Sequence, residues 1–253
     1  MAVERSPATW FASTPSGICA HARDVDDWRL SFPPLRFDEP EIGDVEDILS
    51  LILTENWRFA GWLPIHAGCV VAPNGAAALL CAASGGGKST LTAALIRAGW
   101  KTLGDDKLLL RTKPMPLAAS LAASFNLDPA TARWFPELAG VADLPRYSAW
   151  TNKRRVMVGD FWPGALIDTI APSHIISIVR DDGAGFHIRK LGAREALRVL
   201  FDQVVVANDR QVAREIAQTL AQLAADASAF ELRLGRDAYS AHSIAGCLEA
   251  ALA

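Results

Sequence analysis

Apolar and polar positions change period several times along the 253 residues. Val45, Ile48, Leu49, Ile52 and Leu53 recur at helical spacing. Asp44 just before them, with Asp47 three residues on, predicts an N-cap and a helix running to Asn56. From Leu63 the period shortens. Residues 63–71 read as one strand, Pro73-Asn74-Gly75 as a tight turn and 76–81 as a second strand, because Asn-Gly between two apolar runs is a strong hairpin signal. A Gly-rich loop follows, then a helix over 88–98 with Leu91, Ala94, Leu95 and Ala98 on one face. Gly99 stops that helix. Residues 100–103 and 107–111 read as short strands. Asp128-Pro129 opens a short helix through Trp134. Residues 156–158, 175–179 and 186–191 read as strands, 194–205 and 209–225 as helices, 230–234 as a closing strand and 243–252 as a final helix.

Residues 1–43 are punctuated by Pro7, Pro15, Gly17, Pro33, Pro34, Pro40 and Gly43, which predicts irregular structure with short strands between. Residues 32–37, with two prolines, read as an edge strand or a loop. Alternation of strands and helices after the Gly-rich loop predicts an α/β layer fold. Its expected parts are a small N-terminal lobe over 1–60 and a core over 61–253.

Composition narrows the chemistry. The formal net charge of -3 and pI of about 6.0 carry no basic excess for nucleic acid and no polybasic stretch for an anionic membrane surface. Cys19, Cys69, Cys81 and Cys247 are scattered without a CxxC pair, so neither a disulfide framework nor a zinc site is expected. The first residues lack a basic segment followed by an apolar one, and no apolar run approaches the roughly 20 residues a membrane span needs. The expectation is a soluble cytoplasmic protein.

The chemistry sits in Ala82-Ala83-Ser84-Gly85-Gly86-Gly87-Lys88-Ser89. A loop that cradles a triphosphate needs backbone N–H groups turned inward, and glycines permit that close approach. It also needs to open a helix, whose terminal amides attract anions. Ser84, Gly85, Gly86, Gly87, Lys88, Ser89 and Thr90 meet both needs, with Lys88 reaching the β- and γ-phosphates and Ser89 placing its hydroxyl on Mg²⁺. The usual pattern GxxxxGK[ST] has glycine where Ala82 stands. The plain alternative is a Gly-rich turn with Lys88 merely solvated. Gly104-Asp105-Asp106 ends the next strand, at the sheet edge where ligands bind in α/β folds. Two carboxylates beside a triphosphate divide the work, one holding Mg²⁺ and one accepting a proton. A polar turn is the alternative reading of those residues.

His66-Ala67-Gly68, the hairpin, the loop over 83–89, Gly99 and Asp105-Asp106 together resemble the HPr serine kinase family, clearly over 60–112 and in outline elsewhere. The resemblance implies an α/β fold with the HPr kinase C-terminal-domain, phosphoenolpyruvate carboxykinase-like P-loop core and a mixed sheet, plus the small N-terminal β-containing lobe. It implies ATP and Mg²⁺ as cofactors and transfer of a phosphoryl group to a serine hydroxyl of a peptide or protein. Asp105 matches the family's general base, Asp106 a metal-linked carboxylate alongside Ser89, and His66 the histidine near that base. Only residues 1–65 precede the histidine, and the family's Gly-rich signature beyond the Asp pair is missing. The chain is therefore more similar to the short, stand-alone relatives of HPr kinase, some of which phosphorylate a lasso-peptide precursor. The family forms homo-oligomers, and no interface is legible here.

Two further readings stay open. Asn152-Lys153-Arg154-Arg155 offers cations for a transferring phosphoryl group, with Lys153 and Arg155 on one face of an extended segment; a solvated basic turn is the alternative. His21, His174, His187 and His242 show no ligand spacing, and the tryptophans read as core or contact residues. A kinase acting on a small-molecule hydroxyl fits the same motifs. So does a non-catalytic ATP-binding regulatory module, although no LSGGQ-type signature is present.

Overall fold

The computed structural model describes residues 2–6, 9–24, 27–34, 39–111, 113–147, 151–204, 210–239 and 243–253. The chain is a mixed α/β protein whose largest sheet is mixed. Its first strands are β1 (Ala2–Ser6), β2 (Thr9–Ser13), β3 (Cys19–Asp24) and β4 (Asp27–Ser31), which form an antiparallel meander. The stretch expected to be irregular is therefore largely a sheet, because Pro15 and Gly17 fall in the β2–β3 turn and leave the strands free to pair. The expected element at 32–37 lies partly outside the described residues, as do Val205, Asp209 and His242.

Helix α1 (Glu39–Phe59) begins earlier than its apolar period indicated. Pro40 sits in the first turn, where a missing N–H costs nothing. Asp44 is consequently not an N-cap but an interior helix residue, buried, whose carboxylate accepts the Ser16 backbone N–H at 2.8 Å. Ile48 and Ile52 pack against Ala12, Ile18 and Ala20 of the meander.

The expected single strand over 63–71 is two strands. β5 (Leu63–Ile65) pairs with β9 (Leu108–Arg111), whereas β6 (Gly68–Val71) pairs with β7 (Ala77–Cys81) and β8 (Lys101–Gly104). The chain changes sheets at His66-Ala67. β9 also pairs with β10 (Leu117–Ser120), which pairs with β13 (Thr169–Ile170), giving sheet order β13-β10-β9-β5. The turn between β6 and β7 is as expected, with Gly75 at φ +88 and the Asn74 side chain accepting the Ala76 N–H at 2.9 Å.

The central sheet has order β15-β16-β14-β7-β6-β8, with β14 (His174–Arg180), β15 (Phe186–Leu191) and β16 (Ser228–Leu234). β14 runs parallel to β7 and β16, and the rest pair antiparallel. β16 thus lies inside the sheet rather than closing it, since β15 pairs antiparallel along its outer side. β7 is buried on both faces. Ala78 and Leu80 face α2 (Lys88–Arg97) and α6 (Ser243–Ala251). Leu79 and Cys81 face α4 (Ala193–Phe201), α5 (Arg210–Asp226) and the β9–β10 side. A short sheet of β11 (Ser124–Leu127) and β12 (Arg154–Met157), with 3-10 turns at Pro129–Arg133 and Pro136–Asp143 and the one-turn α3 (Val158–Phe161), packs on the outer side of α2. The expected helix at Asp128-Pro129 is the first of these 3-10 turns, capped by Asp128, and Val158 belongs to α3 rather than to a strand. Among the described residues no helix is long and apolar enough to cross a membrane.

Candidate functional site

Strand directions bring the candidate residues to one edge of the central sheet. β7 and β8 both run antiparallel to β6, so the C-terminal ends of β7 and β8 lie beside the N-terminal end of β6. The Gly-rich loop leaves β7, Asp105-Asp106 leaves β8, and His66 precedes β6 at that edge.

The loop's backbone demands its glycines. Gly85 (φ +74) and Gly87 (φ +105) are left-handed, and a Cβ on Gly86 would lie 2.8 Å from the Ala82 Cβ and 2.9 Å from the Ala83 carbonyl oxygen. α2 then starts at Lys88 and ends in a Schellman turn, where the Gly99 and Trp100 N–H groups donate to the Ile96 and Leu95 carbonyls. That turn returns the chain directly into β8.

At the end of β8 the Thr102 hydroxyl donates to the Cys69 carbonyl (2.9 Å) and accepts the Gly104 N–H (3.0 Å), fixing a bulge between β6 and β8. Gly68 lets the backbones close in, since a Cβ there would sit 3.2 Å from the Asp105 Cα. Asp105 is driven inward and is 2% exposed. Neither of its carboxylate oxygens completes a hydrogen bond. Burial, aided by the Asp106 charge, pushes its pKa up to about 7, against the nearby Ser89 hydroxyl and the charges of Lys153 and Lys88. Asp106 behaves oppositely. Burial raises it too, but the His66 Nε2 contact at 2.5 Å and the charges of His66, Lys88 and Lys153 outweigh that and hold its pKa below the usual value.

Lys88 is buried, and burial lowers its pKa against the pull of Asp106 and Asp105. Its ammonium donates to the Ala82 carbonyl at 2.9 Å and stands 3.4 Å from His66 Nε2. Ser84 and Gly85 are exposed, Ser89 and Thr90 half-buried. Lys153 is near enough for its charge to act on Lys88 and both aspartates. The structure gives Arg155 another partner: Glu46 of α1 takes both its guanidinium nitrogens at 2.5 Å, with the Tyr147 ring beneath at 5.1 Å.

Sequence reasoning missed Gln203. Its backbone carbonyl accepts the His66 N–H at 2.8 Å. Its side-chain nitrogen, oriented by its surroundings, donates to the carbonyls of Ala82 (3.0 Å) and His66 (2.9 Å). One residue therefore ties the loop to the histidine.

Two cavities flank the site. One, of about 510 Å³, lies between α1 and the Asp pair and includes Asp105, Asp106, His66, Asn126 and Gln203. The other, of about 610 Å³, lies beyond the loop at the ends of β14 and β16, with Thr90, Arg133, Trp134, Arg180, Arg236 and Tyr239 in its wall beside Asp128, Asp181 and Asp182. Among the described residues no group of three or more His, Cys, Asp or Glu side chains forms a ready metal cage. The Ser89 hydroxyl and the Asp106 carboxylate, beside Asp105, are nonetheless hard oxygen donors of the kind Mg²⁺ takes together with substrate oxygens.

No family model and no curated protein matches the chain. Among solved structures, the Hpr(Ser) kinase/phosphatase from Coxiella burnetii aligns with a TM-score of 0.40 and 12% identity, over 74% of this chain and 91% of that one. A likeness of that size carries no argument.

Proposed function

We propose that the chain is an ATP-dependent kinase with the P-loop core of the HPr kinase and phosphoenolpyruvate carboxykinase type, acting on a serine or similar hydroxyl of a peptide or protein. The supporting observation is the convergence at one sheet edge of a Gly-rich loop opening a helix, a buried lysine, and a buried, unpartnered Asp105. The loop amides over 84–89 and Lys88 bind the phosphates, and the cavity beyond the loop, with Thr90 in its wall, would take the nucleoside. Ser89 and Asp106, beside Asp105, would hold Mg²⁺, which would supply charge neutralisation at the phosphates. Asp105 takes the proton of the acceptor hydroxyl as its oxygen attacks the γ-phosphorus. The bond from that phosphorus to its bridging oxygen breaks, and ADP leaves with its charge held by Lys88 and the loop amides. A pKa raised toward neutrality suits a base. His66 fixes Asp106, and Lys153 adds positive charge. A lasso-peptide precursor belongs to this acceptor class.

The test is transfer from γ-labelled ATP to serine peptides. Asp105→Asn should lower transfer by about 10²–10⁴-fold and leave ATP affinity nearly intact. Full activity in that variant would remove Asp105 from the role of base.

A further inference from the structure

The cavity beside the Asp pair is walled on one side by a single helix face. Glu46, Leu49, Ser50, Leu53, Thr54 and Trp57 of α1 line it. Their spacing of three and four residues puts all of them on one side of the helix. Ile48 and Ile52 face the other way, into the N-terminal sheet. Ile65, Leu108 and Leu121 form apolar parts of the facing wall. Leu49 and Leu53 remain 41% and 42% exposed, so their apolar surface is uncovered. Among the charges in the wall, Glu46 and Arg155 pair with each other, Asp106 contacts His66, and Lys107 donates to the Ser50 hydroxyl at 3.2 Å. At the floor, both carboxylate oxygens of Asp105 and the side-chain oxygen of Asn126 are buried and without a partner.

Resting on the kinase reading above, we infer that the acceptor is a peptide serine flanked by an apolar side chain. Its hydroxyl meets Asp105, a neighbouring backbone N–H meets the Asn126 oxygen, and the apolar neighbour covers Leu49 and Leu53. A peptide brings all three groups within one short segment. A sugar could satisfy both oxygens, but hydroxyls set against the exposed surfaces of Leu49 and Leu53 would find no partner on those two side chains, which an apolar group covers instead. A charged neighbour would lose hydration against Leu49 and Leu53, where Glu46 is already held by Arg155 and Lys107, bonded to the Ser50 hydroxyl, is the cation an acidic one would reach.

The experiment uses the intact chain, and ATP affinity is measured first; absence of ATP binding overturns the kinase reading and this inference with it. Serine peptides differing only in the residue beside serine (Leu, Phe, Gly, Asp, Lys) are then compared by kcat/KM. Leu and Phe are expected to exceed Asp and Lys by about tenfold or more. Leu53→Lys and Leu49→Glu should raise KM for the apolar peptides by about tenfold. ATP affinity on these variants, both changed at exposed positions, separates lost acceptor binding from misfolding. Equal rates on all peptides overturn the proposal while leaving the kinase reading standing. So does preferred transfer to free serine, glycerol or a sugar, or an unchanged KM in both variants.

Discussion

At residue scale the loop illustrates what a sequence displays and what it conceals. Gly86 is visible as part of a Gly-Gly-Gly run, and its reason is steric: a methyl group there would collide with Ala82 and Ala83. Gln203 has no such signature. It follows an amphipathic helix, far along the chain from the loop, and only the fold brings its amide between the Ala82 and His66 carbonyls. Gln203→Leu keeps the volume roughly and removes both donors, leaving the His66 carbonyl without one while Lys88 still reaches Ala82. Loss of such a hydrogen bond from the buried Gln203 side chain costs about 0.5–1.5 kcal/mol, so a lowered thermal midpoint is expected. Amide hydrogen exchange should quicken at the loop and at His66, with weaker ATP binding. Unchanged exchange at both places would mean that the two segments hold themselves.

At the scale of elements, the features legible in the sequence were those with local causes. The β6–β7 hairpin follows from Asn74-Gly75, and the end of α2 from Gly99, and between them they deliver the loop and the Asp pair to one edge. The break at His66 was not legible. Residues 63–71 are continuously strand-like, and the change of sheet depends on β9, whose pairing with β5 is non-local. The early start of α1 was hidden too, since its first turn lacks the apolar period that marked the rest. Arg155 read, with Lys153, as a candidate phosphate cation or a solvated turn, and a short basic cluster says nothing about its contact with the distant Glu46. That pair joins α1 to β12, and each side chain is 34% exposed, so screening limits its worth to about 0.5–1 kcal/mol. A double-mutant cycle with Glu46→Ala and Arg155→Ala should return a coupling of that order, falling as salt is raised. Acceptor KM should rise in Glu46→Ala, because α1 then leans less firmly on the cavity. A coupling indistinguishable from zero at low salt would show that α1 is held by its apolar contacts alone.

Across the whole molecule, α1 has a double attachment that neither half of the sequence announces. One face lies on the N-terminal sheet through Ile48 and Ile52, and the other forms the wall opposite the Asp pair. Asp44, itself buried, fixes the first attachment by accepting the Ser16 N–H from the β2–β3 turn at 2.8 Å. If the N-terminal sheet serves to set this helix, loosening it should be felt in the cavity and not at the loop, whose geometry depends on β7, β8 and Gln203. Asp44→Ala should therefore lower stability by about 1–3 kcal/mol, seen as a reduced denaturation midpoint. Acceptor KM should rise severalfold while ATP affinity holds. The contrast between the two ligands carries the inference, since general unfolding would weaken both together. Equal losses for ATP and acceptor would make the N-terminal sheet a stabilising cover for the whole chain rather than the support of one wall.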